Sequence, residues 1–581
     1  MHELKRRTLL RAAAAGSVGM LLPWQATGHA RAGDRLRAIH APEVVGVPPV
    51  DAFNGLVRMP DGVIRHFGPG MYLWSDDEGL SWHEHTMTGD ERDAEQGSAL
   101  ARNPRTGTWL RAVSGQHLSV RRWTRDLESE PERIELAQQR FIMLRPPYFL
   151  KSRHRVLVAG HSPARPFHIG VFRSDDDGRT WQSTLLEPGP PFIVRPPHAK
   201  PRWENWCCEP TITELDGGRL RMIARTSQDW HYQSFSDDGG AAWTPWQRSP
   251  FFGTITMPTL FRMRDGRLLF LWCNTTPLVE ADRSDEPVPP SQQDGTWEDV
   301  FTNRDALHAA VSHDDGRTWS GFREIRLNPL RNDGELGEKA DGDLSVHQPQ
   351  CLELAQGKVL VACGQDPEVR CMLIFDPDWL ERTQRSDDFA NGLEHWSTHQ
   401  YIRGIVGHCA YNRKPGPELI EHPDEPANRV LRLRRVPDES LVHDIQGATW
   451  NFPAARAGRL RIRLMIRQGS AGLRLGLIDR WINPADPHMV DYANYLLTLD
   501  GQGRLARQPA LETGQWHALT LSWSDAGTGV CQVAVDGQEP LVRLPLHQPS
   551  EHGLSYVHLQ SRAEHEDRAG VLIDWVEART V

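Results

Sequence analysis

The chain has 581 residues, of which 66 are Lys or Arg and 76 are Asp or Glu, giving a formal net charge of −10. A chain of that length is too long to fold around one ordinary hydrophobic core, so two domains are expected. The excess of acidic residues excludes a general nucleic-acid-binding surface but not a basic pocket. The 21 Trp and 49 Gly residues, with turn dipeptides throughout, favour an all-β protein.

The N-terminus has the order of an export signal. A Lys-Arg-Arg run at residues 5–7 precedes an apolar run of small residues that ends near Leu22, and an Ala-Arg-Ala site ends at Ala32. This order predicts a twin-arginine signal peptide over 1–32, with cleavage after Ala32 and a periplasmic or secreted mature protein. The apolar run is too short to cross a bilayer and no later run is longer, so no membrane span is predicted.

An eight-residue pattern, S-x-D-x-G-x-x-W, occurs four times along the chain. The copies read SDDEGLSW at 75–82, SDDDGRTW at 174–181, SDDGGAAW at 236–243 and SHDDGRTW at 312–319. In such a loop the Asp side chain accepts hydrogen bonds from turn amides, and Gly supplies a backbone conformation that other residues resist. We expect each Trp to pack between neighbouring sheets.

The residues around the third copy predict one blade of a β-propeller. Apolar runs at 211–215 and 220–224 flank an Asp-Gly-Gly turn, and a third run leads into the pattern. Because a blade needs about 40–50 residues, the first gap between copies predicts a blade without the pattern over 98–136. Runs at 350–354, 358–363 and 370–375 predict a last blade, which a strand near 37–45 would complete, for a count of about six.

The periodicity changes near residue 386. Alternating runs at 459–466, 473–478 and 516–523 predict further strands, and the stretch GQWHALTLSW…VCQVAVDG resembles concanavalin/laminin-G-like sandwiches of secreted glycan enzymes. The resemblance implies a jelly-roll-type β-sandwich over 386–581 that serves stability or glycan binding. Three tryptophans there either pack in the core or stack on sugar rings: Trp481, Trp516 and Trp523.

The four repeated loops are Asp-boxes, or BNR repeats, and through them the chain resembles the sialidase-like β-propellers. The resemblance implies an all-β fold in which a six-bladed propeller over 33–385 is followed by the sandwich. It also implies an exported carbohydrate-active enzyme, a glycoside hydrolase of the exo-α-sialidase type or a related one, that removes a terminal acidic sugar. The expected partner is therefore a glycan or polysaccharide with an acidic sugar.

Sialidases bind the sugar carboxylate with three arginines, whose paired donors match its two oxygens. The resemblance places these roles on Arg58 in Val-Arg-Met-Pro, on Arg225 downstream of Glu209, and on Arg304 ahead of the last Asp-box. Trp206 would form an aromatic wall against the sugar or pack between blades.

The tyrosine nucleophile of sialidases is missing from the expected region, which reads DLSVHQPQ at 343–350. His347 or Gln348 stands in its place, and no acid/base aspartate can be assigned. The catalytic candidates are accordingly Glu209 and His347, with His161 and Tyr232 as further ones.

Two chemistries and one non-enzymatic alternative fit these residues. The first is hydrolysis with another acid and base in place of tyrosine. The second is β-elimination at a uronic acid, in which arginines neutralise the carboxylate and a histidine removes the C5 proton. The third is a glycan-binding propeller that has lost catalysis. No motif implies a metal or a cofactor, the cysteines show no zinc-type spacing, and nothing in the sequence indicates an oligomeric state.

Overall fold

The computed structural model describes residues 28–49, 55–88, 99–124, 126–163, 167–190, 193, 195–198, 207–279, 303–333, 344–403, 413–506 and 508–581. The N-terminal Arg-Arg motif therefore lies outside the described residues, and the predicted cleavage position after Ala32 falls within the first helix, Gly28–Ala38. Export remains a prediction. No helix in these ranges is long and apolar enough to cross a membrane.

Four consecutive antiparallel sheets of four strands come first, and we number them blades 1 to 4 in chain order. Blade 1 contains Leu56–Arg58, Ile64–Gly68, Met71–Ser75 and His83–Thr86, and blade 2 contains Leu100–Arg102, Trp109–Ser114, Leu118–Trp123 and Glu132–Ala137. Blade 3 contains Tyr148–Phe149, Val156–His161, Ile169–Ser174 and Gln182–Leu185, and blade 4 contains Cys208–Glu214, Leu220–Arg225, Trp230–Ser236 and Gln247–Phe252. Blade 2 confirms the prediction of a blade without an Asp-box.

A fifth four-stranded sheet, the closing blade, joins the two ends of the ring. Its strands are Gln350–Glu353, Val359–Cys363 and Cys371–Phe375, with Glu43–Gly46 paired to the last of them. The predicted completion of the last sheet by an N-terminal strand is confirmed, although residues 28–38 are helical and the strand begins only at Glu43.

The remaining four strands of the ring do not form a sheet of their own. Thr259–Arg262, Leu268–Trp272, Ala306–Ser312 and Ser320–Leu327, here called the joined strands, continue through the pair Gly321 and Ala454 into an eleven-stranded sheet. The structure therefore has five separate four-stranded blades, not the six that were predicted. The joined strands do not form a separate sheet, because their outer strand, Ser320–Leu327, pairs with a C-terminal strand.

Hydrophobic clusters connect each set of strands to the next around the ring. The clusters link blades 1 and 2, blades 2 and 3, blades 3 and 4, blade 4 and the joined strands, the joined strands and the closing blade, and the closing blade and blade 1. The tryptophans of the four Asp-boxes lie in these clusters, as predicted: Trp82, Trp181, Trp243 and Trp319.

The C-terminal strands form two sheets around one hydrophobic cluster. One consists of Gln384–Asp387, Glu418–Glu421, Arg429–Leu433, Gly458–Ile466, His517–Trp523, Cys531–Val535, Val542–Leu544 and Val571–Thr580. The other is the C-terminal part of the eleven-stranded sheet: Trp396–Ser397, Gly447–Ala455, Gly472–Ile478, Tyr495–Asp500, Arg504–Leu505, Gln508–Pro509 and Leu554–Ser561. A two-stranded ribbon, Gln400–Tyr401 with Arg413–Lys414, and a short helix, Met489–Tyr492, complete this part.

Two of the three tryptophans considered for sugar stacking pack in cores. Trp523 belongs to the cluster between the two sheets, and Trp481 is fully buried in a cluster shared with Ala306 of the ring. Trp516 instead stacks on the ring of His422.

Candidate functional site

The strand register defines two ends of each blade. In blade 4, Leu220 is paired with both Glu214 and Ser236, the first residue of an Asp-box, whereas Arg225 at the other end of the same strand is paired with Cys208. We call these the Asp-box end and the opposite end. Glu209 and Arg225 lie together at the opposite end.

Glu209 and Arg225 form a buried ion pair. Arg225 Nη1 donates to Glu209 Oε1 over 2.7 Å, and the two residues are 6% and 8% exposed. Glu209 has a positive φ of 48° beside an irregularity in the strand pairing, a conformation that non-glycine residues rarely adopt. Glu209 Oε2 and Arg225 Nε are buried and have no hydrogen-bond partner among the described residues.

The charges around Glu209 keep it ionised. Burial raises the pKa of Glu209, but Arg225 and Arg304 help to lower it below its ordinary value. Glu209 is therefore a carboxylate at neutral pH, suited to accept a proton or a hydrogen bond and unsuited to donate one.

His161 reaches this cluster from blade 3. It ends the strand Val156–His161, whose first residue is paired with Ser174 of an Asp-box, so His161 also lies at the opposite end. Its Nδ1 lies 2.9 Å from the carbonyl oxygen of Ser162, which assigns the ring proton to Nδ1 and leaves Nε2 as an acceptor. Burial lowers the pKa of His161, and Arg225 lowers it further against the opposing effect of Glu209. A buried, neutral imidazole beside a carboxylate and an arginine is a candidate base.

Arg304 and Arg145 bring two more positive charges. Arg304 lies two residues before the joined strand Ala306–Ser312, which ends at its Asp-box, and Arg304 Nη2 donates to the carbonyl of Ile255 over 2.5 Å. Arg145 donates to the carbonyls of Pro210 and Pro258, and Glu209 is its first electrostatic partner. Burial lowers the pKa of Arg145 to about 10, so it also remains charged at neutral pH.

His347 lies at the same end of the closing blade, three residues before the strand Gln350–Glu353. It is 1% exposed, and its Nδ1 lies 2.9 Å from the hydroxyl of Ser345. The backbone N–H of the preceding Val346 donates to the carbonyl of Arg304 over 3.0 Å, which places His347 next to the Arg304 turn.

Arg58 does not join the cluster. It is paired with Ile64, which is also paired with Ser75 of the first Asp-box, so Arg58 lies at the Asp-box end of blade 1. Both of its terminal nitrogens donate to Glu78 in that Asp-box, over 2.8 and 3.0 Å. A two-oxygen partner within the protein explains why this Arg-x-Pro arginine does not reach the opposite end.

The other predicted residues have separate surroundings. Tyr232 packs in the cluster between blades 3 and 4, where burial and Cys207 raise its pKa. Trp206 lies outside the described residues. Two further histidines that lie on ring strands, His231 and His308, are fully buried, and burial lowers their pKa values to about 3 each, so both are neutral structural groups.

The sequence reasoning missed Arg145 and Asp305. Arg145 stands in an Arg-Pro-Pro-Tyr stretch that has no pattern of its own. Asp305 follows Arg304 directly and pairs with Arg413, 108 residues further along the chain. Neither contact has a local sequence signal, because both depend on how distant strands meet.

Comparison with known protein families gives a match within the ring. Residues 114–361 match the BNR repeat-like domain family, which covers strands from blade 2 to the closing blade. The match supports a propeller of BNR repeats in this part of the chain. No curated protein sequence matches the chain.

Several solved structures are distantly similar. Trypanosoma rangeli sialidase aligns at 12% identity with a TM-score of 0.32, covering 93% of this chain and 92% of that one. A protein of unknown function from Dyadobacter fermentans aligns at 16% identity with a TM-score of 0.35, covering 58% of this chain and 96% of that one. Xylan beta-1,4-xylosidase from Bacillus halodurans aligns at 12% identity with a TM-score of 0.26, covering 83% of this chain and 97% of that one.

No group of three or more His, Cys, Asp or Glu in the described ranges is placed to hold a metal ion. The seven cysteines described there are unbridged.

Proposed function

We propose that the protein is an exo-acting glycosidase-type enzyme that removes a terminal acidic sugar from a glycan. The observation that carries the proposal is the buried Glu209–Arg225 pair, in which Glu209 Oε2 and Arg225 Nε have no hydrogen-bond partner among the described residues. Arg225 and Arg304 would bind the sugar carboxylate, since guanidinium groups stay charged when buried. His161 would accept the proton beside the fixed carboxylate of Glu209, with His347 next to the Arg304 turn.

The protein would work outside the cytoplasm, as its N-terminal sequence predicts. We further propose that the joined strands act as the sixth blade, since they pack between blade 4 and the closing blade. The two C-terminal sheets would then form a jelly-roll-type sandwich that stabilises the ring.

A β-elimination at a uronic acid is the second candidate reaction. The neutral state of His161 favours it, because a neutral imidazole next to arginines can remove a proton while those arginines stabilise the resulting charge. The absence of tyrosine from 343–350 fits this reaction as well as it fits a modified hydrolysis.

Product analysis would distinguish the reactions. Purified protein is incubated with sialylated glycans and with uronate-bearing oligosaccharides, and products are followed by mass spectrometry and ultraviolet absorbance. A free acid sugar with one water added means hydrolysis, and an unsaturated uronate without added water means elimination. No product from either set would contradict the proposed enzyme and favour a glycan-binding protein.

The variant Arg225→Lys tests the site. It keeps a positive charge but loses the guanidinium fork, and we expect kcat/KM to fall about 100-fold, the order reported for a lost charged contact of about 3 kcal/mol. Arg221→Lys is the matched control, because Arg221 lies on the same strand, is equally buried and bonds Gln233 and Gly316 at the Asp-box end. Equal losses in the two variants, at equal melting temperatures, would contradict the site assignment.

A further inference from the structure

The C-terminal part of the chain contacts the turn that carries Arg304. We propose that Arg413 and Tyr401 are positioning residues that hold residues 303–305, so that the C-terminal part completes the sugar-binding site of the ring. The inference rests on the proposed function, in which Arg304 binds the carboxylate of an acidic sugar. Neither residue reaches Arg304 directly, and both act through its two neighbours.

Arg413 holds the residue after Arg304. Its Nη1 lies 2.7 Å from Asp305 Oδ2 and its Nη2 lies 3.4 Å from Oδ1, with both side chains at most 2% exposed. Burial raises the pKa of Asp305, but Arg413 and His399 outweigh it and hold that pKa below its ordinary value. A two-nitrogen contact away from water fixes both the distance and the orientation of the carboxylate.

Tyr401 holds the residue before Arg304. Asn303 Nδ2 donates to the Tyr401 hydroxyl over 2.8 Å and to Asp305 Oδ2 over 2.5 Å. The backbone N–H of Asp305 donates back to Asn303 Oδ1 over 2.8 Å, and Thr275 Oγ1 donates to the Asn303 carbonyl over 2.9 Å. Asn303 and Asp305 are therefore bound to each other and to the C-terminal ribbon on both sides of Arg304.

The turn transmits its position to the closing blade. Asn328 Nδ2 donates to Asp305 Oδ1 over 2.8 Å and to the carbonyl of Leu344 over 3.1 Å. The N–H of Val346 donates to the Arg304 carbonyl over 3.0 Å. A shift of 303–305 would consequently move both Arg304 and the segment that carries His347.

Two conservative variants test the positioning role. Arg413→Lys keeps the charge and loses the two-nitrogen contact, while Tyr401→Phe removes only the hydroxyl that contacts Asn303. We expect each to raise KM for the acidic substrate about 10- to 100-fold with little change in kcat, because a misplaced binding group loses uniform binding. Lys414→Met is the control, since Lys414 adjoins Arg413 but pairs with the partly exposed Asp438 over 2.6 Å.

Hydrogen exchange of the segment 344–349 provides a readout that needs no activity. We expect its exchange to be faster in Arg413→Lys and in Tyr401→Phe than in the wild type, and unchanged in Lys414→Met. Should Arg413→Lys fail to fold, Tyr401→Phe carries the same comparison.

The outcomes separate this inference from the proposed function. A wild-type protein that turns over no acidic glycan defeats the proposed function, while faster exchange in both variants still supports the positioning of the Arg304 turn. Unchanged exchange together with unchanged KM overturns the inference even when the wild-type enzyme is active. A fall in kcat alone, with KM at the wild-type value, also overturns it.

Discussion

Glu209 is a poor general acid near neutral pH, because its pKa is lowered, chiefly by the positive charge of Arg225, in spite of its burial. His161 is the better group to take up a proton. Its Nδ1 donates to a backbone carbonyl, so its Nε2 is the free acceptor of a neutral ring. The two residues thus divide the work: a fixed carboxylate orients and stabilises, and a neutral imidazole accepts the proton.

The pH dependence of activity follows from this division. A base loses activity as the pH falls through its own pKa, and the pKa of His161 is lowered from 6.5 by burial. We expect kcat/KM to stay level down to below pH 6.5 and then to fall, and His161→Gln to lose most of the activity.

The control for that experiment is His168→Gln, because His168 directly precedes a strand of the same blade and its Nδ1 lies 3.2 Å from the carbonyl oxygen of Leu186. Its pH profile should match the wild type. A fall in wild-type activity that begins above pH 6.5 would contradict His161 as the base.

For single residues, the sequence predicted those contacts that depend on a short-range pattern. Glu209 and Arg225 stand on two adjacent strands joined by one tight turn, so their spacing determines their register. His161 and Arg304 come from other blades, and only the ring brings them to Glu209. Arg58 matched a motif but not a position, because the carboxylate of Glu78 lies within reach at its own end of the blade.

The Asp-box loop is the element that joins blades most directly. In each copy the Asp at the third position accepts its own turn amides, as Asp176 does from Arg179 and Thr180. The residue at the fourth position reaches the preceding blade instead. Asp177 accepts from Thr108 over 2.6 Å, from Asn103 over 2.7 Å and from the buried Arg122 over 3.2 Å.

We expect Asp177→Ala to destabilise the protein by about 2 kcal/mol, the order for removing one partner of a buried charged hydrogen-bond network. Among the described residues, the variant leaves Arg122, whose side chain is 2% exposed, with the exposed Glu132 as its one ionic partner. Urea unfolding at pH 7 measures the loss.

The matched control is Asp175→Ala in the same loop. Asp175 pairs with Arg155 but is 61% exposed, so its removal should cost less than about 1 kcal/mol. Equal losses in the two variants would show that the contact between blades contributes nothing beyond the loop itself.

Local signals predicted the elements better than their assembly. The gap between Asp-boxes was enough to predict a blade without the pattern over 98–136, because a gap in a repeat implies the missing unit, and the structure has its strands between residues 100 and 137. They could not predict that Ser320–Leu327 would pair with a C-terminal strand. That pairing joins residues more than a hundred positions apart and has no local pattern.

Across the whole molecule, the ring and the C-terminal part share buried polar groups. His308 Nδ1 accepts from the N–H of Asn274 over 3.1 Å, which leaves Nε2 to donate to the Tyr556 hydroxyl, 2.5 Å away. Tyr556 donates in turn to Glu324 Oε1 over 2.7 Å. This series of hydrogen bonds runs from the joined strands to the C-terminal sheet and back. The two parts are therefore coupled by hydrogen bonds as well as by the shared sheet.

Glu324 is the member of this hydrogen-bond series that we expect to lower the stability of the protein at neutral pH, and the variant Glu324→Gln tests this expectation. Burial raises the pKa of Glu324 above its ordinary 4.5, although Arg385 and the Tyr556 hydroxyl oppose that rise. A raised acid pKa means that stability is fully present below pH 4.5 and is lost as the pH rises through the folded pKa. Gln keeps an acceptor for Tyr556 without a charge, so we expect Glu324→Gln to raise the free energy of unfolding at pH 7.

That gain should shrink as the pH falls towards 4.5, where Glu324 becomes neutral in the wild type as well. Urea unfolding of both proteins at several pH values measures it. Glu551→Gln is the control, because Glu551 also joins the two parts, through Arg248 over 3.1 Å, but is 64% exposed. Its effect should be small at every pH. A Glu324→Gln variant that is less stable than the wild type at pH 7 would mean that the ionised carboxylate, held by its neighbouring arginines, stabilises the junction.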